Sequence, residues 1–519
     1  MREINRNIYS VIKRNSVLYP HNTLVSINNE NATYDAFIKD ADLIAYSLAN
    51  LGVCPNQKIG IIMPNSVLWY KIFWAAVKIG AQPVPLDPQI GQWEMVRLMT
   101  LADIEICFAA SSYRANNILQ NIKTACKDIP SLKTIIGIDL EMEQDGIKPF
   151  RNFIISENAQ NPDVIYCPKD NHTLMLACTS GSTGNPKVIA VPHIGFYKSQ
   201  LDMADYLGFD HRDIMLLGMP LYHQGGFGMG LQMVLKGGTV VYQTLFDPLM
   251  FLNIIVEKKI TVIQLTTTLA KILLSAAELY TFDLSSVRIC YFAGEVLPID
   301  IAKVFYEKLG IRVINIIGSS ETGTMVVWDS LYDMDTDPSI FRPLSFTKLK
   351  VLDDHENEVQ IGQVGTIFIH TDALITEYYK NEKETSLKLK WFDGLKWFNT
   401  GDLGMKLSDG RVRFAGRAKR IIKRGSNLVC PEEIEGFLLT HPDIEAIAII
   451  GEKHPVIGER IVAYIQPKKG CIITRGKILK FCQGKMSAYK VPDQVIVTDE
   501  IPKDIGKVQY KYLNGNSLE

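Results

Sequence analysis

The stretch Thr179-Ser180-Gly181-Ser182-Thr183-Gly184-Asn185-Pro186-Lys187 places hydroxyls and glycines on nearly every step and ends in one lysine. Such a loop suits a polyphosphate. Glycines let successive N–H groups turn into one concavity, hydroxyls donate to anionic oxygens, and the ammonium neutralises charge. A Walker A element would run G-x-x-x-x-G-K-[ST] from a strand into a helix. Here Gly181, Gly184 and Lys187 are three apart and Val188 follows the lysine, so the loop is of another kind. Apolar runs at 174–178 and 188–191 bracket it, which predicts strand, loop, strand. The bracketing also argues against a flexible Ser/Gly linker.

Further chemistry-bearing stretches follow in a fixed order. They are Ala293-Gly294-Glu295-Val296-Leu297-Pro298, Asn315-Ile316-Ile317-Gly318-Ser319-Ser320-Glu321 and Thr400-Gly401-Asp402. Gly416-Arg417 then leads through Lys423 and Gly425 to Pro431-Glu432-Glu433-Ile434-Glu435, and Pro502-Lys503 with Gly506-Lys507 stands near the C-terminus. Together with the phosphate loop, this series resembles the signature of the AMP-forming adenylating enzymes. That superfamily holds acyl- and aryl-CoA synthetases, peptide-synthetase adenylation domains and beetle luciferases, and the chain is most like the acyl-CoA synthetase branch.

The resemblance implies an ATP-dependent carboxylic acid:thiol ligase, with an acyl-adenylate formed first and an acyl-CoA thioester second. ATP and AMP would be bound by Thr179, Ser180, Gly181, Ser182, Thr183, Gly184, Lys187, Gly294, Glu295, Val296, Gly318, Ser319, Ser320, Glu321, Asp402, Arg417 and Lys507. Lys507, Glu321 and Lys187 would be catalytic. Glu321 would anchor Mg²⁺, which usually binds through one or two carboxylates plus phosphate oxygens. Asp402 in a Gly-flanked turn would accept both ribose hydroxyls. His223, Gly294 and Gly318 would border the acyl pocket, Lys423 and Gly425 would line the thiol tunnel, and Lys419 would be a hinge. Lys507 would bridge the carboxylate and the α-phosphate and leave when a small domain rotates.

Other positions narrow the acid. Peptide-synthetase domains carry an aspartate for the substrate ammonium in a segment that resembles Leu221-Tyr222-His223-Gln224-Gly225-Gly226, and none stands there. A buried ammonium without a counter-charge is costly, so a free amino acid is disfavoured. Several residues depart from the family pattern: Ile317 replaces an aromatic that would stack on adenine, Ser320 a threonine, Thr267 a proline and Tyr510 an arginine.

The elements that must position these residues read as α/β. Strand-like runs at 58–63, 81–86, 261–265 and 287–292 alternate with helical runs at 66–80, 249–259 and 268–278, which predicts open parallel sheets. Short alternating strands with Gly and Asp turns between about 340 and 415 predict a small β unit. From 417 the alternation resumes as a compact α+β tail of about a hundred residues. The expected domains are therefore 1–416, for nucleotide and acyl substrate, and a mobile 417–519 carrying Lys507.

The 519 residues, 47% of them hydrophobic, exceed what one core supports. A net charge of −1 points to neither nucleic acid nor a membrane surface. No signal-type segment opens the chain, nine cysteines form no CxxC pair, and the ending Asn516-Ser517-Leu518-Glu519 is not peroxisomal, so a cytoplasmic protein is expected. The expected partners are a small-molecule acid, ATP, Mg²⁺ and CoA. A phosphopantetheinyl carrier protein is the alternative acceptor, and a luciferase-like oxygenase or a non-catalytic nucleotide sensor are remoter readings. The joint presence of Lys187, Glu321, Asp402, Arg417 and Lys507 argues against a sensor.

Overall fold

The computed structural model describes residues 7–28, 30–154, 165–179, 187–276, 279, 281–293, 297–417, 422–425, 427–429, 431–501, 503–504 and 507–508. For 415–417, 428, 432, 503–504 and 507–508 it gives the backbone.

Strands that are apolar along their whole length need cover on both faces, and the first sheet has such strands. Its order is Gln82–Leu86, Lys58–Ile62, Ile106–Ala109, Thr134–Gly137 and Ile147–Pro149, all parallel. The helix Val67–Lys78 is started by Ser66, whose hydroxyl accepts the Trp69 N–H at 3.0 Å. It buries Trp69, Tyr70, Phe73 and Trp74, and the Phe73 ring lies 4.3 Å from that of Phe227 on the helix Gln224–Lys236. That aromatic cluster holds the first sheet's helix against the helix that follows His223.

The second sheet has fourteen strands among the described residues. A parallel half runs Thr23–Ile27, Thr239–Tyr242, Ile214–Leu217, Val262–Leu265, Ile289–Ala293 and Arg312–Ser319. Residues 320–322 then turn the chain back into Gly323–Asp329, antiparallel to its predecessor. The expected β unit of 340–415 therefore does not stand apart. Ile340–Pro343, Val412–Arg417, Leu395–Lys406, Val364–His370 and Lys348–Leu352 extend the same sheet from that hairpin. A strand added at an open edge satisfies backbone groups that a separate unit would leave exposed.

Among the described residues, a three-stranded sheet holds the two strands on either side of the candidate phosphate loop. Thr173–Thr179 and Lys187–Pro192 pair antiparallel, and Glu377–Tyr378 adds to the free edge of the second strand. Both expected flanking strands are present. Near the C-terminus, Asn427–Val429, Ile422–Arg424, Gly458–Pro467, Ile444–His454 and Gln494–Val497 form a sheet covered by the helices Pro431–Leu438 and Arg475–Cys482. Ile434, Phe437, Ile447, Ile461, Ile465 and Ile478 belong to a core of their own there.

Candidate active site

Thr179 and Lys187 stand directly opposite each other at the open end of the phosphate hairpin, and residues 180–186, with Ser180, Gly181, Ser182, Thr183 and Gly184 among them, lie outside the described residues. The Lys187 side chain, 7% exposed, meets the Glu384 carboxylate at 2.5 Å and lies 5.2 Å from the centre of the Tyr378 ring. Strand pairing explains the encounter. Tyr378 is opposite Ile189 in the added strand, and Glu384 sits in the first turn of the helix Glu382–Lys388 that follows, its N–H capped by Asn381.

Tyr378 links this lysine to the second motif. Its hydroxyl donates to Glu321 Oε1 at 3.0 Å. Burial, and then the facing Glu321 and Glu384 carboxylates, raise the phenol far above its ordinary range, so it remains a donor at any working pH. Glu321 occupies the turn between Arg312–Ser319 and Gly323–Asp329, where the reversal of the sheet brings Gly318, Ser319, Ser320 and Glu321 to one edge. The Ser319 hydroxyl accepts the Glu321 N–H at 3.2 Å, and the Ile375 N–H donates to the Glu321 carbonyl at 2.9 Å. The turn is thus fixed both by its own hydroxyls and by the segment leading into Tyr378. Glu321 Oε2 has no partner among the described residues, which fits a single carboxylate anchor for a magnesium ion.

Asp402 lies within the strand Leu395–Lys406 rather than in the expected turn. A bend inside the strand replaces the turn: Gly401 has φ +73°, and the Asp402 N–H donates to the Thr400 hydroxyl at 3.0 Å. Asp402 is directly opposite Arg417 in the ladder, so the two nucleotide candidates share one register. Ile317 and Asp402 line one crevice with Met325 and Phe414. The aliphatic Ile317 offers contact but no stacking face there.

His223 directly precedes the helix Gln224–Lys236, its ring 4.8 Å from that of Tyr222. Burial lowers its imidazole to about 4, so it is neutral at physiological pH. The side-chain amides of Gln224 and the fully buried Gln264 find no hydrogen-bond partner among the described residues. A pH–rate profile of the His223→Phe variant over about pH 5.5 to 8 should keep the shape of the parent's, because a neutral imidazole has no proton to lose there. A parent inflection near 6.5 that vanishes in the variant would contradict this.

Lys423 and Gly425 belong to the hairpin of Ile422–Arg424 and Asn427–Val429. Lys423 N–H donates to Glu459 at 2.6 Å, and Gly425 turns with φ +59°. Lys507 is in the short hairpin of Lys503–Asp504 and Lys507–Val508, opposite Asp504. Gly294, Glu295, Val296 and the hinge candidate Lys419 lie outside the described residues.

Tyr378 and Glu384 were missed by sequence reasoning. No spacing rule ties Tyr378 to Glu321, and the one local signal was Asn381 as a helix cap ahead of Glu384. Tyr378→Phe should lower pyrophosphate release by about 10-fold, the scale of one hydrogen bond to a charged group, with melting temperature little changed. Unchanged release would remove Tyr378 from the site.

Comparison with known proteins places this geometry. The model of the AMP-binding enzyme family matches residues 12–379, and that of the AMP-binding enzyme C-terminal domain matches 433–505. The mitochondrial medium-chain acyl-CoA ligase ACSF2 of Danio rerio is 26% identical over 92% of this chain and 82% of its own length. The indoleacetate–CoA ligase of Aromatoleum aromaticum is 24% identical over 96% of each. The structure of a double mutant of o-succinylbenzoate CoA synthetase from Bacillus subtilis, bound with a product analogue, superposes with a TM-score of 0.83 at 21% identity, over 97% of this chain and 98% of that one. With a family model covering most of its length and the phosphate hairpin, Glu321 turn and Asp402–Arg417 register in one fold, this chain belongs to the AMP-binding enzymes.

Proposed function

We propose that this protein is an AMP-forming acid:thiol ligase that joins a small-molecule carboxylic acid to CoA through an acyl-adenylate. The observation that carries the reading is the chain of contacts from Lys187 through Tyr378 to Glu321, which joins the phosphate hairpin to the carboxylate turn. The acyl-CoA and indoleacetate–CoA ligases matched over 82% and 96% of their own lengths support it.

In the first step a carboxylate oxygen attacks the α-phosphorus and pyrophosphate leaves. Charge crowds on both sides, so preorganised cations and donors do most of the work. Lys187 faces the departing phosphates, residues 180–184 bind them, and Asp402 with Arg417 holds the nucleoside. Glu321 would hold a magnesium ion, which would supply charge neutralisation for the phosphates. Tyr378 orients Glu321, and Lys507 comes in from the C-terminal domain of 417–519, turning about Lys419. In the second step the thiol attacks the acyl carbon, the carbon–oxygen bond breaks, and AMP leaves with the oxygen. Lys423 and Gly425 line the thiol's path, and His223 borders the acyl pocket with Gly294 and Gly318.

No helix among the described residues is long and apolar enough to cross a membrane, and each described cysteine is free. A cytoplasmic setting suits those thiols. The test is pyrophosphate release from ATP and Mg²⁺ across fatty, aryl and amino acids, with and without CoA. Hydroxylated aryl acids belong in the panel because Gln224 and Gln264 offer amides to a polar substituent. One acid class should give pyrophosphate alone, and AMP plus acyl-CoA when CoA is added. Adenylate without CoA turnover would favour a carrier protein, and silence with every acid would overturn the ligase reading.

A further inference from the structure

The most deeply buried charged cluster among the described residues lies outside the site just described, where the two domains meet. The helix Gln92–Leu101 of the large domain presents Glu94 in its first turn, 2% exposed. Glu94 Oε1 accepts from Lys490 Nζ at 2.6 Å, and its Oε2 accepts from both the N–H and the hydroxyl of Ser487, at 2.8 and 2.6 Å. Lys490 also meets Glu433 of the small domain at 2.8 Å. Around this centre, the Gln92 N–H donates to the Gly484 carbonyl at 2.9 Å and the Trp93 ring lies 5.1 Å from that of Phe437. A Cβ on Gly91 would fall 2.3 Å from the Lys485 backbone, so only glycine admits so close an approach.

The docked turn leads to the site. Tyr489, between Ser487 and Lys490, interacts electrostatically with the Asp87 carboxyl and the Tyr222 phenol, and the Tyr222 ring is tilted against that of His223, 4.8 Å between centres. Behind the turn, Arg424 donates to the Tyr489 carbonyl at 2.7 Å and pairs with Asp493 at 2.5 Å. Arg424 lies next to Gly425 in the hairpin of the proposed thiol path. One clamp therefore sets the position of Tyr489, next in space to Tyr222 and the proposed acyl-pocket residue His223, and of the Gly425 hairpin behind it.

We infer that Glu94 is a positioning residue for thiol transfer: by gripping Lys490 and Ser487 it holds the small domain in the orientation that presents the Arg424–Gly425 hairpin to the acyl-adenylate. The inference rests on the ligase reading above. Two carboxylates share one ammonium in the cluster. Burial, partly offset by Lys490 and reinforced by the Glu94 charge, pushes the Glu433 carboxyl up to about 7. Burial would also raise Glu94, but Lys490 and the Ser487 donors outweigh it and hold it below its ordinary value. Glu94 is therefore the carboxylate whose charge answers Lys490 across the domain boundary. Adenylation places Lys507, not Gly425, at the reacting atoms, so it does not draw on this clamp.

The experiment separates the half-reactions in the full-length protein, using the acid with the strongest pyrophosphate release. In Glu94→Gln, single-turnover transfer from preformed acyl-adenylate to CoA should fall by about 10- to 100-fold, the cost of leaving one partner of a buried interfacial pair unanswered. Pyrophosphate release should stay within about twofold of the parent, which also shows that the variant folds. Ser487→Ala removes one grip and should slow transfer by about 3- to 10-fold. Should Glu94→Gln fail to fold, Ser487→Ala decides on the same criterion. Equal loss in both half-reactions, or no loss in transfer, overturns the assignment. Failure of the parent to release pyrophosphate overturns the ligase reading itself, and the transfer step with it.

Discussion

Lys507→Ala should lower adenylate formation by about 10²- to 10³-fold, the scale of removing one preorganised donor from a developing charge. Thioester formation from supplied acyl-adenylate should survive, because by then the bond to the α-phosphorus already exists. The structure gives this lysine a mount that suits a part-time role. It lies in a two-residue strand closing a short hairpin near the C-terminus, paired with Asp504 in the ladder rather than with any strand of the main sheets. Stopped-flow or rapid-quench measurement of each half-reaction checks the split. Loss of both would make Lys507 structural, and loss of neither would remove it from catalysis.

Lys187→Ala should cost about 3–5 kcal/mol of stability as well as activity, because it leaves the Glu384 carboxylate buried without its counter-charge. The double substitution Lys187→Met with Glu384→Met removes both charges and should recover most of that stability, since apolar replacement of a buried pair is often near neutral. Adenylation should stay depressed by about 10²-fold or more in the double variant, because the phosphate hairpin still lacks its ammonium. Chemical denaturation with pyrophosphate release measured in parallel tells the two effects apart. A double variant as unstable as the single one would show that the loss comes from elsewhere.

The parts of this site that could be read from sequence are those whose chemistry is local. The phosphate hairpin announced itself because two β-branched runs flank a Gly/Ser loop within a few residues. The helix at 249–259 did so because Asp247 and Pro248 are a cap and a first-turn proline. The sheet's extension through the Glu321 turn was not legible, since strand pairing between 326–327 and 342–343 depends on partners that no period in the chain announces. Asp402 read as a turn residue because Gly401 precedes it. The fold uses that glycine's positive φ to bend a strand instead. Glu384 and Glu94 were invisible for a simpler reason: their partners Lys187 and Lys490 lie 197 and 396 residues away along the chain. Glutamates at helix starts look like ordinary capping carboxylates until the fold brings a lysine to each.

In the proposed reaction a carboxylate oxygen of the acid attacks the α-phosphorus of ATP. The most direct measurement uses the acid labelled with ¹⁸O in both carboxylate oxygens, with ATP, Mg²⁺ and CoA, and mass analysis of the nucleotide product. AMP should carry one labelled oxygen, delivered when the thiol breaks the acyl carbon–oxygen bond. Unlabelled AMP, or ADP with the label in inorganic phosphate, would contradict it.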